Sequence, residues 1–484
     1  MVGPDYQAPA TTMPAAFGEL PATQPSGTTR FASDANVDVR WWRRLNDAKL
    51  TDLVERAVAA NPSITIAEAR LSQARAAREV AQALLYPEIH ANASIARSRF
   101  SSGALGVPQG LFPMEGNVYQ AGFDAIWVVD VFGGTRRQIE SAQADEDTVR
   151  AARRGVVLMV ASETARGYVE LRGVQHQLDV AKATLVEQRQ TLAITDDKHT
   201  NGLASDLDLL RARTDVEATE AQIPPLEQGI RQYIHLLSTL LALEPTALSQ
   251  ELTPVAPIPE IPDRIAVGVP SDLLRRRPDI QGAERNLASA TAQVGVAVSR
   301  LFPQVALGGA AGIADRTDKS LALNSAGYYT AGPAIDWTVF DAGKRQAAVK
   351  ASKAEVDVAK ASYEDTVRRA FAEVESALVA VDRAQARRDA LKRLCATARQ
   401  AVVIAQRDYE KGILDQLTVL DAQRQADRAD MSLAQSEVAL TVNVVTLYKA
   451  LGGGWEVAEP LDSPEPSPTT QPDSHEALKK EPTP

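Results

Sequence analysis

Thr135 to His199 is a run without proline and with little glycine, and Gly343 to Lys411 is its counterpart in the second half of the chain. With neither residue to punctuate it, such a run continues as a helix. At 1.5 Å per residue, about 65 residues make a rod about 100 Å long. No rod of that length is stable alone in water, because a helix gains most of its stability by packing an apolar face. The chain can therefore fold only if its rods pack on one another or on further copies. The second rod shows the face: Val349, Val356, Tyr363, Val367, Val374 and Val381 lie on a stripe that recurs about every 3.6 residues.

Each rod ends in a reversal. YEKGILDQLTVLDAQR spans Tyr409 to Arg424, and HTNGLASDLDLLRART spans His199 to Thr214. Gly202 and Gly412 supply the positive φ of a helix C-terminus. Asp415 is placed to cap the return helix, and Ser205 with Asp208 forms a capping-box pattern in the other tip. The return helices run to about Leu243 and Leu451, and Val419 to Leu451 carries a near-heptad seam. Pro224-Pro225 should bend or break the first of them.

The two halves repeat in order. Arg277-Pro278-Asp279-Ile280 matches Asn61-Pro62-Ser63-Ile64, Phe302-Pro303 matches Tyr86-Pro87, and Phe340 to Arg345 closes its segment as Phe132 to Arg137 does. Ordered proline and glycine landmarks mark a duplication that chance likeness between Ala-rich helices would not produce. The divisions are an arm and short helix over 1–60, a first repeat over 61–243, a Pro-rich linker over 244–276, a second repeat over 277–451, and an end with a Pro-rich tail over 452–484. Each repeat reads as helix, β-hairpin and long helical hairpin. The β-hairpins span 86–132 and 303–340; the helical hairpins span 135–243 and 343–451. Residues 458–484 have no apolar periodicity and read as a disordered tail.

Inside each β-hairpin the period falls to two. Ile89, Ala91, Ala93 and Ile95 alternate with Glu88, His90, Asn92 and Ser94. Tyr119, Ala121, Phe123, Ala125, Trp127, Val129 and Val131 share one side of the next strand, with Gln120, Gly122, Asp124 and Asp130 on the other. Strands follow at about 304–314 and 328–340, and the loops at 101–117 and 315–327 join each pair. The strands have the length of outer-membrane strands, and pattern alone fits a soluble hairpin with one wet face equally well. Lipid does not tolerate the open edges of a four-stranded sheet, so in a membrane the strands must close with other copies. Two copies give a barrel filled by its side chains, and about three give a channel.

Composition narrows the function. Asp and Glu number 62 against 52 Lys and Arg, with no basic block, which argues against a nucleic-acid partner. The single Cys395 excludes an internal disulfide and reads as a packed small residue. No apolar run is long enough for a membrane helix. His90, His176, His199, His235 and His475 form no metal-binding pattern, and no nucleotide or nucleophile motif stands in its structural context. Neither a cofactor nor catalysis is expected, and Glu373 and Glu375 read as solvated.

At this point the chain resembles a known family, the TolC-like outer-membrane factors of tripartite efflux pumps, in their NodT/OprM-like lipoprotein branch. VGPDYQAP at 2–9, Trp41-Trp42 through Asp47 and Leu50, VPSDLLRRRPDIQGAE at 269–284, the Tyr409–Arg424 stretch and LYKALGGGW at 447–455 carry the likeness. The resemblance implies a mostly α protomer with a membrane β-barrel, assembled as a homotrimer. Twelve strands would form the barrel, above a twelve-helix periplasmic barrel and a mixed equatorial domain. It implies a periplasmic adaptor and an inner-membrane pump of the resistance-nodulation-division class as partners, contact with outer-membrane lipid, and passive exit of small toxic compounds. A duct for type I protein secretion is the alternative, and a helical scaffold without a pore a third reading. The family carries a lipid-bearing Cys just before Val-Gly-Pro-Asp-Tyr; Met1 stands there, so the chain as written cannot carry the anchor.

By the same resemblance, Tyr409, Leu417, Asp421 and Arg424 form the periplasmic aperture. Leu417 and Asp421 are four apart and Asp421 and Arg424 three apart, so they share a helix face. Copies around an axis would set an apolar ring beside an acidic one that favours cations. In the first tip Arg211 and Thr214 replace Asp421 and Arg424, and Asp206, Asp208 and Arg211 are expected to pair across to the second tip.

Overall fold

The computed structural model describes residues 1–11, 13–20, 30–33, 38–99, 115–315 and 326–458. The tail from 459 on and most of the two hairpin loops lie outside them. Elements come in matched pairs. Helix α1 (Ala48–Ala60) precedes α2 (Pro62–Ala83), strands β2 (Glu88–Arg99) and β3 (Glu115–Val129), and helices α3 (Gly134–Thr200) and α4 (Asp206–Leu240). After the linker the order returns as α5 (Pro278–Ser299), β5 (Gln304–Asp315), β6 (Gly327–Asp336), α6 (Lys344–Glu410) and α7 (Gln416–Ala450). Both rods have 67 residues, both return helices 35, and both leading helices 22, so the duplication holds element by element. A short parallel pair, β1 (Arg30–Ala32) with β4 (Arg264–Ala266), ties arm to linker.

The rods pack as columns. The Asn61 side chain, capping α2, also donates to the Leu240 carbonyl at 2.8 Å, so α2 continues the line of α4. Arg277 does the same one repeat later: its guanidinium donates to the Ala450 carbonyl at 2.8 Å and sets α5 on the end of α7. Each chain thus offers four columns, in the order α4–α2, α3, α7–α5, α6. Only the two outermost, α4–α2 and α6, have an open flank.

The core sits where the columns meet the arm. Trp41, Trp42, Leu45, Leu50, Leu53 and Val54 are fully buried against the middle of α3 and α6 and the ends of α4 and α7. Trp41 stacks on Tyr448 at 5.2 Å and donates to the Gly453 carbonyl at 3.1 Å. The Trp41 indole N–H is thus satisfied, whereas that of Trp42 is buried without a hydrogen-bond partner among the described residues. The first residues of the arm run along α5 and α6. The Tyr6 hydroxyl donates to Glu284, and the amides of Gly18 and Glu19 donate to the two carboxylate oxygens of Glu375. Glu375 is therefore a clasp for the arm, and Glu373 pairs with Arg277 at 2.8 Å. Both read from the sequence as solvated rather than catalytic, and Glu373 is exposed; what the sequence does not show is their partners, which come from segments far away in the chain.

Two further expectations are corrected. Helix α4 runs unbroken through Pro224 and Pro225. The helix packs against α3, and the two prolines themselves lie on its exposed side. Strand β6 stops at Asp336, short of the expected 340.

The sheet has the order β2–β3–β5–β6, all antiparallel. Its register puts Ile89, Ile95, Phe123, Leu307, Ile313, Tyr329 and Ile335 on one face, and all are exposed, Tyr329 at 87%. The other face carries His90, Asn92, Gln120, Asp124, Tyr328 and Thr330 among small residues. There Asn92 donates to Asp124 at 2.5 Å and Gln120 to the Tyr328 hydroxyl at 2.8 Å. Ile126 and Val128 also fall on that polar side, which the alternation had not assigned. Within the chain β2 and β6 each have a bare edge.

Candidate functional site

The two hairpin tips are built alike. Each rod closes with the amide of the residue after glycine reaching back five residues: Leu203 to the Lys198 carbonyl at 2.8 Å and Ile413 to the Asp408 carbonyl at 2.9 Å. Gly202 and Gly412 hold φ of 71° and 70°, which only glycine adopts without strain. The return helices then start on their expected caps. Ser205 and Asp208 exchange hydrogen bonds in a full capping box, and Asp415 accepts from the Thr418 amide at 2.9 Å and hydroxyl at 2.6 Å. Those two bonds hold the Asp415 carboxyl below its usual range.

The structure brings the second-tip residues into contact with the first hairpin. Arg424 Nε donates to both oxygens of Asp215 on α4, at 2.8 and 3.1 Å, and its NH1 reaches Asp421 at 3.4 Å. The bond to Asp215 keeps the guanidinium charged more firmly than an ordinary arginine. Tyr409 is held from two sides. Lys198 Nζ donates to its hydroxyl at 2.8 Å and lies 4.2 Å from the ring centre, while the hydroxyl donates to Gln416 at 3.2 Å. Gln416 in turn donates to Thr195 on α3. Leu417 is half-buried and Asp421 exposed.

The first-tip trio behaves differently from expectation. Asp206 pairs with His199 at 2.6 Å, and Asp208 with Ser205 and, at 3.9 Å, Arg211, so these bonds stay inside their own tip, while the charge of Arg211 also acts across on Asp415 of the second tip. Residues that do cross at the tips include Lys198, Thr195, Thr191 and Asp215, none of which the sequence pointed out. The offset of 210 aligns Asp215 with Gln425, not with a charged residue, so the repeat itself hid it. The available signal was weaker: an acid one turn beyond Arg211 on the face of α4 turned to α3 and α7.

The arrangement is a set of polar ties between two rods at the far end from the sheet. The sheet is a segment with one apolar face, one polar face and two free edges. The family described as outer membrane efflux protein is matched twice along the chain, over residues 53–242 and 269–453. The chain belongs to the outer membrane efflux protein family. This efflux protein is 32% identical to nodulation protein T of Rhizobium leguminosarum bv. viciae, over 96% of its own length and 93% of that relative's. It is 31% identical to the pyoverdine export outer membrane protein OpmQ of Pseudomonas putida, over 93% and 96% of the two chains. Among solved structures, the outer-membrane channel OprN superposes with a TM-score of 0.86 at 33% identity, covering 94% of this chain and 99% of that one. The efflux protein is a TolC-like outer-membrane channel, its sheet a barrel segment and its columns part of a helical tube. No helix among the described residues is long and apolar enough to cross a membrane.

Proposed function

We infer that three copies close one tube, and that it serves as the exit duct of a tripartite pump for small toxic compounds, shut at rest by the hairpin tips. The observation that carries this reading is the agreement between two layers. Four strands end in two bare edges, and four helical columns end in two open flanks, in the same chain order. Pairing β6 with β2 of the next copy also sets α6 against the α4–α2 column. Three copies give twelve strands and twelve columns, and barrels of that size are wide enough for water where inward side chains are small. Gly122, Ala310 and Gly312 share the inward face, where the Tyr328 hydroxyl lies over the two glycines.

Arg424, Asp421, Tyr409 and Leu417 then stand where the tube narrows. Their ties to Asp215 and Lys198 hold the second hairpin against the first and keep the aperture closed. A periplasmic adaptor would engage the outer tip surface and an inner-membrane pump of the resistance-nodulation-division class would supply the energy. The channel itself needs no cofactor. Lipid attachment just before Val2 fits the arm's geometry: the Val2 amide donates to the Phe132 carbonyl at 3.1 Å at the foot of the first β-hairpin, where an acyl chain begins at membrane level.

Purified protein in planar bilayers should show discrete, low-probability conductance steps, and a strain lacking it should become sensitive to small apolar toxins while its secreted proteins are unaffected. Loss of a secreted protein with unchanged sensitivity would move the reading to protein secretion. No conductance from wild type or from aperture variants would remove the channel closure altogether.

A further inference from the structure

One turn beyond Arg424 on α7, Asp427 lies in the seam between α7 and α3. Its Oδ1 accepts from the Thr184 hydroxyl at 3.3 Å and its Oδ2 from Gln188 Nε2 at 3.1 Å. Both donors are neutral, and among the described residues no cation forms an ion pair with the carboxylate. On α7, Arg424 is committed to Asp215 of α4 and to Asp421. On α6, Arg399 is committed to Asp430 at 3.0 Å, and the buried Cys395 thiol also lies against Asp430. Glu187 of α3 and Asp430 of α7 add negative charge around Asp427. The Oε1 of Gln188 is buried without a hydrogen-bond partner among the described residues. An ionised Asp427 has only acceptors and holds the Gln188 nitrogen, whereas its protonated form carries an O–H that would serve that oxygen once the Gln188 amide turns over. Burial first, and then the neighbouring acids, push the Asp427 carboxyl above its usual range.

We propose that Asp427 is a proton-operated latch between the two helical hairpins, protonated while the rods are drawn together and ionised when they part. This rests on the reading of the tips as the closure. The sign follows from linkage: the packed seam binds the proton more tightly than a parted, wet one. The packed state is therefore favoured without penalty below the ordinary carboxylate range, and loses ground as pH rises from there through the raised value. The Arg424–Asp215 pair needs an ionised acid and works in the opposite direction, so variants must separate the two.

The test follows amide hydrogen exchange of the full-length channel at residues 184–188 and 423–430 from about pH 7.5 to about pH 4.5, corrected for the intrinsic rate, with bilayer recordings over the same range. Wild type should gain protection and lose open probability several-fold on acidification. Asp427→Asn, which mimics the protonated group and can donate to Gln188, should be protected at neutral pH and should lose the gain of protection that wild type shows on acidification. Glu187→Gln, at an exposed position, should move the wild-type midpoint to lower pH. An equal pH response in wild type and Asp427→Asn, or an unmoved midpoint in Glu187→Gln, would overturn the latch. Arg424→Ala at neutral pH tests the closure separately: unchanged conductance there refutes the tips as closure, whatever the exchange data show.

Discussion

The tie between Arg424 and Asp215 offers the sharpest measurement. Its two Nε contacts at 2.8 and 3.1 Å involve side chains 30% and 16% exposed, so the pair is neither a wet surface bridge nor a buried one. Exposed pairs contribute about 0.2–1 kcal/mol, and hydrogen bonds to charged groups about 1.5–3 kcal/mol. A coupling of about 1 kcal/mol per protomer, at the upper end of the exposed range, is equivalent to about a fivefold bias toward the closed tip. Three copies acting together would bias closure about a hundredfold. Arg424→Ala and Asp215→Asn should each raise open probability in planar bilayers, and the double variant should add little to either. A double-mutant cycle on open probability isolates the pair. If the effects add fully, or if Asp215→Asn leaves the channel shut while Arg424→Ala opens it, Arg424 does not act through Asp215.

Two further outcomes follow from other parts of the fold. Gly412→Ala meets no atom within 4 Å but must hold φ of 70°, so it should cost about 1 kcal/mol through backbone strain alone and loosen the tip measurably in hydrogen exchange, without unfolding the rods. Phe123→Lys, on the exposed apolar face of β3, should cost about 2–4 kcal/mol in the bilayer and abolish the heat-modifiable assembled band on gels, while Thr330→Lys on the opposite face should assemble normally. Equal assembly of the two lysine variants would mean that the faces have been assigned the wrong way round.

Much of this was legible because it is local or periodic. The proline-free runs, the tip glycines, the caps at Ser205 and Asp415 and the alternation of β2 and β3 depend on residues within a few positions of one another, and each formed where expected. The duplication was equally visible, since ordered landmarks survive where side chains have drifted. Two of the misreadings share a reason. Pro224-Pro225 reads as a breaker only if α4 is considered alone, and with α3 packed beside it the helix runs whole. Glu373 and Glu375 read as solvated until Arg277 and the arm arrive from elsewhere in the chain.

The tips show the same division most clearly. Sequence alone determined that there are two of them, what turns them, and that Asp421 and Arg424 lie together on a face of the second. The tertiary structure decided what that face meets. Asp215 and Lys198 lie 209 and 211 residues from Arg424 and Tyr409, and no local pattern encodes such a distance. Their pairing exists because α3 is flanked by α4 and α7 along its tip-proximal length, so that charges from both hairpins converge where water is partly excluded.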